Sequence, residues 1–194
     1  MNVTVAIIFG GKSAEHEISL KSASNVFNST DRTIFTPVLL GVDKSGKCFY
    51  NDKYAAENVN LTDNDYFAEA THFYLPATGK SVNVIGKNEN RVLTNFDIAF
   101  PIIHGTFGED GTLQGILKSL NIPFVGPDVL GSSIAMDKDV TKRLLKAADI
   151  PVANSYTLYK HIPDEYSFQE IVSGLGLPVF IKPANAGSSV GVSK

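Results

Sequence analysis

The chain has 194 residues, of which 43% are hydrophobic, and a formal net charge of -3. This composition is typical of a folded chain with one full domain and part of a second, and its mild acidity argues against a nucleic acid as partner. Cys48 is the only cysteine, which excludes an internal disulfide and fits a reducing compartment. The apolar runs are too short to cross a bilayer and Met1–Asn2 lacks the basic start of a signal peptide, so we expect a cytoplasmic protein with no membrane partner.

The first half of the chain predicts strands that alternate with helices. The run VTVAIIF at 3–9 predicts a strand covered on both faces. The residues from Ala14 onward predict a helix with Ala14, Ile18 and Val26 on one stripe, Ala23 and Phe27 beside it, and Ser13 as its cap. Further strands are expected at 36–42, 48–50, 96–103 and 122–126, with a helix at 112–120. Residues 51–95 contain short β-like pieces at 72–75, 82–85 and 91–93 and predict an elaboration of the sheet. We therefore expect an open, mostly parallel, Rossmann-like α/β sheet.

The pattern changes after residue 126. The run VLGSSIAMDKDVTKRLLKAADI predicts one helical stretch that Pro151 stops, followed by a helix near 164–173 and a strand at 178–182. The final PANAGSSVGVSK forms a glycine and serine loop. We therefore expect a substrate-binding α/β domain at 1–126 and the first part of an α+β domain at 127–194, which looks unfinished.

The glycine-rich stretch IIFGGKSAEHEISL at 7–20 follows the first strand. It is not a phosphate-binding P-loop, because Ala6 stands where that motif needs glycine. Glu15 and Glu17 would lie in the first helical turn, where carboxylates repel a phosphate but suit an ammonium group. The alternative is that these glutamates only support the helix N-terminus.

The stretch HGTFGEDG at 104–111 follows the strand at 96–103. Its glycines allow close backbone approach to a ligand, although their spacing is not the dinucleotide fingerprint. His104 is the candidate binding residue. It could equally be a loop histidine bonded to the backbone.

Two lysines and a second glycine-rich loop lie in the last third of the chain. Lys182 ends an apolar run and precedes ANAGSSVGV, whose amides and hydroxyls, with the nearby ammonium, suit the β and γ phosphates of a nucleotide. A flexible linker is the alternative for this loop. Lys138 in MDKDVTK could bind the same phosphates or be a solvated helix lysine.

Four stretches in this order resemble the D-alanine–D-alanine ligase family of the ATP-grasp superfamily: FGGKSAEHEISL, PIIHGTFGEDGTLQG, SSIAMDKDVTK and LPVFIKPANAGSSVGVSK. The resemblance implies a pre-ATP-grasp domain followed by part of the ATP-grasp domain. It implies ATP-dependent joining of two D-alanines through an acyl phosphate, with ADP and phosphate released, for peptidoglycan synthesis in a bacterial cytoplasm.

The resemblance also implies a role for individual residues. Glu15 would hold the ammonium of the first D-alanine, His104 would lie near its carboxylate, and Ser188 with Glu15 would orient the second substrate. Lys138 and Lys182 would contact ATP, and the loop amides would close over its γ-phosphate; these belong to Gly187, Ser188, Ser189, Val190 and Gly191.

The family has a further domain's worth of sequence that carries the Mg²⁺ ligands, so no metal ligand is assigned here and the 194 residues alone are expected to be inactive. The family often dimerises through its first domain, and a homodimer is an expectation. Alternatives are a ligase that uses D-lactate or another acceptor and a non-catalytic module that binds an amino acid or a nucleotide. The acceptor stays open, because the residues that discriminate it lie largely outside this stretch of the family.

Overall fold

The computed structural model describes residues 2–55, 58–76, 81–162, 165–187 and 189–194. Its internal contacts group the chain into two compact units, Met1–Ser133 and Ile134–Lys194. The domain division predicted between residues 126 and 127 stays a prediction, since contact grouping divides the chain somewhat later. Among the described residues, no helix is both long and apolar enough to span a membrane.

Among the described residues before Val129, the chain contains seven strands, three helices and a 3₁₀-helix at Asp52–Ala55. The strands are β1 (Val3–Gly10), β2 (Phe35–Val42), β3 (Cys48–Tyr50), β4 (Thr71–Tyr74), β5 (Val82–Gly86), β6 (Val92–Phe96) and β7 (Ile98–Pro101). The helices are α1 (His16–Ser29), α2 (Asp63–Ala68) and α3 (Thr112–Ser119).

All seven strands form one sheet in the order β6-β5-β4-β3-β2-β1-β7. The strand β1, next to the edge strand β7, pairs in parallel with β2, from Val3 opposite Phe35, and with β7, from Val5 opposite Ile98. The remaining strands pair antiparallel. The predicted open α/β sheet is confirmed, but it is mixed: only β2, β1 and β7 are parallel, and β3 to β6 follow one another along the chain as antiparallel neighbours.

The strand β1 is covered on both faces, as its continuous apolar run predicts. Ala6 and Ile8 belong to one buried cluster, which includes Leu117 of α3. Ile7 and Phe9 belong to the other, which includes Leu20, Ala23 and Phe27 of α1. Both faces of the sheet therefore carry a core, and the carboxyl ends of β1 and β7 lie side by side at one edge.

The buried face of α1 differs from the predicted stripe. Ile18 is 49% exposed, and the buried side chains are those of His16, Ser19, Leu20, Ala23, Ser24 and Phe27. Of the predicted positions, Ala23 and Phe27 are buried and Val26 packs against the core, but the polar His16 and Ser19 are buried where Ile18 was expected. The polar residues of this face are buried at little cost, since their side chains hydrogen bond to backbone groups.

The predicted helical stretch after residue 126 is two helices, α4 (Val129–Met136) and α5 (Lys138–Ala147). They are separate because Asp137 is extended and its side chain accepts hydrogen bonds from Asp139 N and Val140 N, which caps α5. The third helix here, α6 (Phe168–Leu175), begins later than expected because Ser167 and Glu170 form a capping box.

Two of the predicted strands are reduced to single bridges. At 122–126, Phe124 alone forms a parallel bridge with Ala99, and at 178–182 Ile181 alone pairs antiparallel with Ser193. A strand needs a continuous partner, and among the described residues neither segment has one.

Candidate functional site

Two loops leave the sheet at its edge. Loop 1 (residues 11–15) joins β1 to α1, and loop 2 (residues 102–111) joins β7 to α3. Loop 1 turns sharply because Gly10 and Gly11 have φ angles of 90° and 93°. A Cβ on Gly10 would lie 2.2 Å from the carbonyl oxygen of Val42, so only glycine fits where the loop starts.

Glu15 occupies the N-cap position of α1 and is half-buried. Its side chain makes no capping hydrogen bond. A Cβ on Gly105 of loop 2 would lie 2.8 Å from Glu15 Oε2, so loop 2 packs directly against this carboxylate. Within the described ranges, no hydrogen bond or ion pair neutralises it, and it is available to a cationic ligand.

Glu17 has a different environment from Glu15. It forms a 2.7 Å ion pair with Lys44, and both side chains are more than half exposed. The structure therefore separates the two glutamates of the motif: Glu15 faces loop 2, and Glu17 belongs to the surface.

His104 follows β7, and loop 2 holds it against α1. Its carbonyl oxygen accepts a 2.6 Å hydrogen bond from Ser13 Oγ, and its Nε2 is joined to Ser22 Oγ by a hydrogen bond of 2.9 Å. Its Nδ1 lies 3.9 Å from Glu109 Oε1, and 28% of the side chain is exposed. The structure thus brings the predicted residues Glu15 and His104 to the same pair of loops.

Ser13 does not cap α1 as predicted. Its hydroxyl accepts a hydrogen bond from Glu15 N at 3.2 Å and donates to loop 2. Ser13 therefore connects the two loops and shapes the approach to the helix.

Sequence reasoning missed the residues that hold loop 1 in place. The buried His16 contacts Gly11 O through Nδ1 at 2.7 Å. Ser19 Oγ accepts from Gly10 N at 2.8 Å and donates to Ile102 O at 2.7 Å. The signal was present as polar residues spaced three apart at 16, 19 and 22, which lie near one another on a helix.

The two acids of loop 2 support the loop itself. Glu109 Oε2 accepts from Gly105 N at 2.8 Å, and the carboxylate of Asp110 accepts from Phe107 N and Thr112 N. Partial burial raises the pKa of Asp110, but these hydrogen bonds outweigh burial and leave its pKa below the usual value. The ionised carboxylates therefore keep the conformation of loop 2.

In the second unit, Lys138 is the first residue of α5. Its backbone N donates to Ala184 O at 3.1 Å, and its Nζ donates to Ala184 O and Ala186 O. Lys138 thus joins the start of α5 to the glycine and serine loop near the end of the chain, and its role toward a ligand stays a prediction.

That loop, loop 3 (residues 182–192), is closed by paired backbone hydrogen bonds between Ile181 and Ser193 of 2.8 and 2.9 Å. Inside it Val190 N donates to Gly187 O, and Ser189 and Gly191 have φ angles of 60° and 70°. These hydrogen bonds form turns in the described residues of loop 3. Of the predicted amides, that of Val190 is engaged within the loop, and Ser188 lies outside the described residues.

Lys182 is exposed. Across the described part of the chain no hydrogen bond or ion pair to its side chain is present, so its ammonium is free to meet an anion.

The described residues of the chain contain no group of three or more His, Cys, Asp and Glu side chains that could hold a metal ion. They do not fit a Mg²⁺ site.

The fold and these loops define a class of protein: a two-unit α/β protein with a half-buried carboxylate beside a glycine-rich loop in one unit and an exposed lysine beside a glycine and serine loop in the other. Family models give the narrower identification. Residues 4–127 match "D-ala D-ala ligase N-terminus", and residues 144–194 match "D-ala D-ala ligase C-terminus". The chain belongs to the D-ala D-ala ligase family.

Individual relatives agree with the family match. The chain is 49% identical over 199 residues to D-alanine–D-alanine ligase A of Escherichia coli (strain K12), an alignment that covers 98% of this chain and 53% of that protein. It is 46% identical to the D-alanine–D-alanine ligase of Shouchella clausii, over 98% of this chain and 52% of the relative. The chain thus spans about half the length of the curated relatives it matches.

Solved structures share the fold. The D-alanine–D-alanine ligase of Coxiella burnetii superimposes with a TM-score of 0.87 at 31% identity, covering 98% of this chain and 56% of that one. The VanG D-Ala:D-Ser ligase of Enterococcus faecalis superimposes with a TM-score of 0.80 at 35% identity. The alignment covers all of this chain and 55% of the VanG chain.

Proposed function

We propose that this chain forms the first half of an ADP-forming ligase that joins two molecules of D-alanine. The observation that carries the proposal is the Glu15 carboxylate, half-buried against loop 2 and unneutralised, in a chain of this family. In the reaction ATP phosphorylates the carboxylate of the first D-alanine, and the amine of the second attacks the acyl phosphate. The products are D-alanyl-D-alanine, ADP and phosphate, for peptidoglycan synthesis in a bacterial cytoplasm.

In this proposal the first D-alanine binds at loops 1 and 2. Glu15 holds its ammonium group, and His104 lies near its carboxylate. These two contacts fix both ends of a small amino acid, and such positioning lowers the entropic part of the barrier.

In this proposal ATP binds at the second unit. Lys138 and Lys182 contact the phosphates, and backbone amides of Gly187, Ser189 and Gly191 approach the γ-phosphate. Ser188 orients the second substrate together with Glu15. Catalysis of this kind rests on positioning and on neutralising phosphate charge. Mg²⁺ supplies part of that neutralisation in the family; no step is assigned to it here, because the described residues do not hold it.

The test is D-alanine-dependent ADP release by the natural gene product that carries this sequence, with its intact mass read from the same sample. We expect ADP and D-alanyl-D-alanine to form in equal amounts. A folded preparation that binds ATP but forms no dipeptide, at a mass matching the relatives' full length, would contradict the proposal.

A second candidate is a ligase that uses an acceptor other than D-alanine. The likeness to the VanG D-Ala:D-Ser ligase favours it, since that structure is 35% identical to this chain. Mass spectrometry of the product formed from equimolar D-alanine, D-serine and D-lactate separates the two. A mixed product as the main species would select the second candidate.

Variants can be measured in a fusion enzyme, in which these 194 residues are followed by the remaining half of the E. coli relative. The alignment to that relative covers 98% of this chain at 49% identity and defines where the two halves are joined. Turnover of the unmodified fusion enzyme is the reference for every variant described below.

A further inference from the structure

His104 is held by α1 as well as by its own loop. Ser13 Oγ donates to its carbonyl oxygen, and Ser22 Oγ is hydrogen bonded to its ring Nε2 at 2.9 Å. Ser22 lies within α1, the helix that Glu15 caps. One rigid helix therefore sets the place of the Glu15 carboxylate and also touches the imidazole of His104.

The bond to Ser22 decides which ring nitrogen can meet a ligand. Nε2 is occupied by a hydroxyl, which can donate or accept and so fits either tautomer of the ring. Nδ1 lies 3.9 Å from Glu109 Oε1, beyond hydrogen-bond distance. The other oxygen of Glu109 is held by Gly105 N at 2.8 Å, so this carboxylate is anchored beside Nδ1. Among the described residues Nδ1 makes no hydrogen bond, and the side chain as a whole is 28% exposed, so Nδ1 is the nitrogen left for a substrate.

We propose that Ser22 is a positioning residue, which holds His104 by Nε2 so that Nδ1 is presented to the substrate carboxylate. This rests on the proposed function, since it assumes that His104 meets the first D-alanine. Ser22 itself does not touch the substrate. Its hydroxyl prevents the ring from flipping and keeps the distance between the imidazole and the Glu15 carboxylate constant.

The experiment compares Ser22→Thr with Ser22→Val in the fusion enzyme. The two side chains have nearly the same shape, and only threonine keeps the hydroxyl. We expect the valine variant to raise KM for D-alanine at the first site about three- to tenfold over the threonine variant, the effect of losing one hydrogen bond. We expect kcat at saturation to differ less. Ser29→Ala, an exposed serine at the end of the same helix, is the control and should match the unmodified enzyme.

A direct observation of the ring separates this inference from the proposed function. In ¹⁵N-histidine spectra, the Nε2 resonance of His104 should move in the valine variant and stay in the threonine variant. A resonance that does not move in either variant shows that the hydrogen bond is absent and overturns the inference. A resonance that moves while KM for D-alanine stays equal in both variants also overturns it.

His104→Gln completes the test. If Ser22 acts through His104, the difference between valine and threonine disappears in the His104→Gln background, and a difference that persists there contradicts the inference. If His104→Gln alone leaves KM for D-alanine unchanged, the proposed role of His104 fails, which is a failure of the proposed function and not of the hydrogen bond.

Discussion

The carboxylate of Glu15 has an environment that differs from that of most glutamates at the start of a helix. A glutamate at a helix N-terminus is usually stabilised by the helix amides. Here the side chain makes no capping hydrogen bond and instead faces Gly105, whose missing Cβ leaves room for it. A partly buried carboxylate without a partner costs free energy, and an ammonium group of a substrate would recover that cost.

Replacing Glu15 with glutamine keeps the size of the side chain and removes its charge. In the fusion enzyme we expect kcat/KM for D-alanine to fall about 10- to 100-fold, the range of a charge-assisted hydrogen bond. Steady-state kinetics with D-alanine varied at saturating ATP measure this. Glu17→Gln is the matched control, since Glu17 pairs with Lys44 at the surface, and it should stay within about twofold of the reference. Equal kinetics for both variants would refute the role of Glu15.

The exposed ammonium of Lys182 is proposed to bind the phosphates of ATP, as Glu15 is proposed to bind the ammonium of D-alanine. Lys182→Ala should weaken ATP binding by about 1–3 kcal/mol, since it removes a charged donor from the phosphates. Isothermal titration of the fusion enzyme with ATP measures this. Lys146→Ala, in the last turn of α5, removes the same charge elsewhere and should leave the affinity unchanged. The phosphate role is excluded if the two variants bind ATP equally well.

At the scale of elements, the site depends on how β1 passes into α1. The chain must turn within loop 1, and the hydrogen bond from Gly11 N to Val42 O at 2.7 Å ties this turn to the end of β2. His16 and Ser19 then use the buried face of α1 to hold Gly11 and Gly10. The helix is therefore both a core element and the support of the loop.

Gly10→Ala tests this junction. The new Cβ would lie 2.2 Å from Val42 O at a φ angle of 90°, so the backbone must shift, and we expect a loss of about 2–4 kcal/mol in the free energy of unfolding. Urea denaturation of the 194-residue chain measures it. Gly115→Ala in α3 is the control: a Cβ there meets nothing within 4 Å, so the helix should gain up to about 1 kcal/mol. A similar loss in the free energy of unfolding of both variants would show that the junction does not specifically require glycine at position 10.

At the scale of the whole molecule, the chain divides the task between two compact units. The first unit carries the residues proposed for the amino acid, and the second carries those proposed for the phosphates. The described residues of both units together lack a cluster of metal ligands. In the proposed ATP site, the lysines of this stretch would therefore compensate only part of the triphosphate charge.

A polypeptide of these 194 residues alone is accordingly expected to release no ADP in response to D-alanine, whereas the fusion enzyme should turn over. A coupled ADP assay with Mg²⁺ and ATP, run on both proteins at equal concentration, makes the comparison. The mass of each sample must be verified by mass spectrometry. Turnover by a verified 194-residue chain would show that these residues are sufficient for catalysis and would contradict this prediction.

The sequence by itself determined the features that depend on neighbouring residues. The unbroken apolar run of β1, the turn at Gly10 and Gly11 and the loops that follow β1 and β7 were all predictable, because strand, turn and helix preferences act over a few residues. The order of the four motifs likewise sufficed to indicate the family.

Only the tertiary structure decided the rest. It selected His16 and Ser19 instead of Ile18 for the buried face of α1, paired Ser22 with His104 across 82 positions of sequence, and left Glu15 rather than Glu17 facing loop 2. Pairing with β3 through β6 also made the sheet mixed. These outcomes depend on which groups meet after the chain has folded. A hydrogen-bond partner supplied by a distant segment can make a polar position buried, and no local pattern of hydrophobicity contains that information.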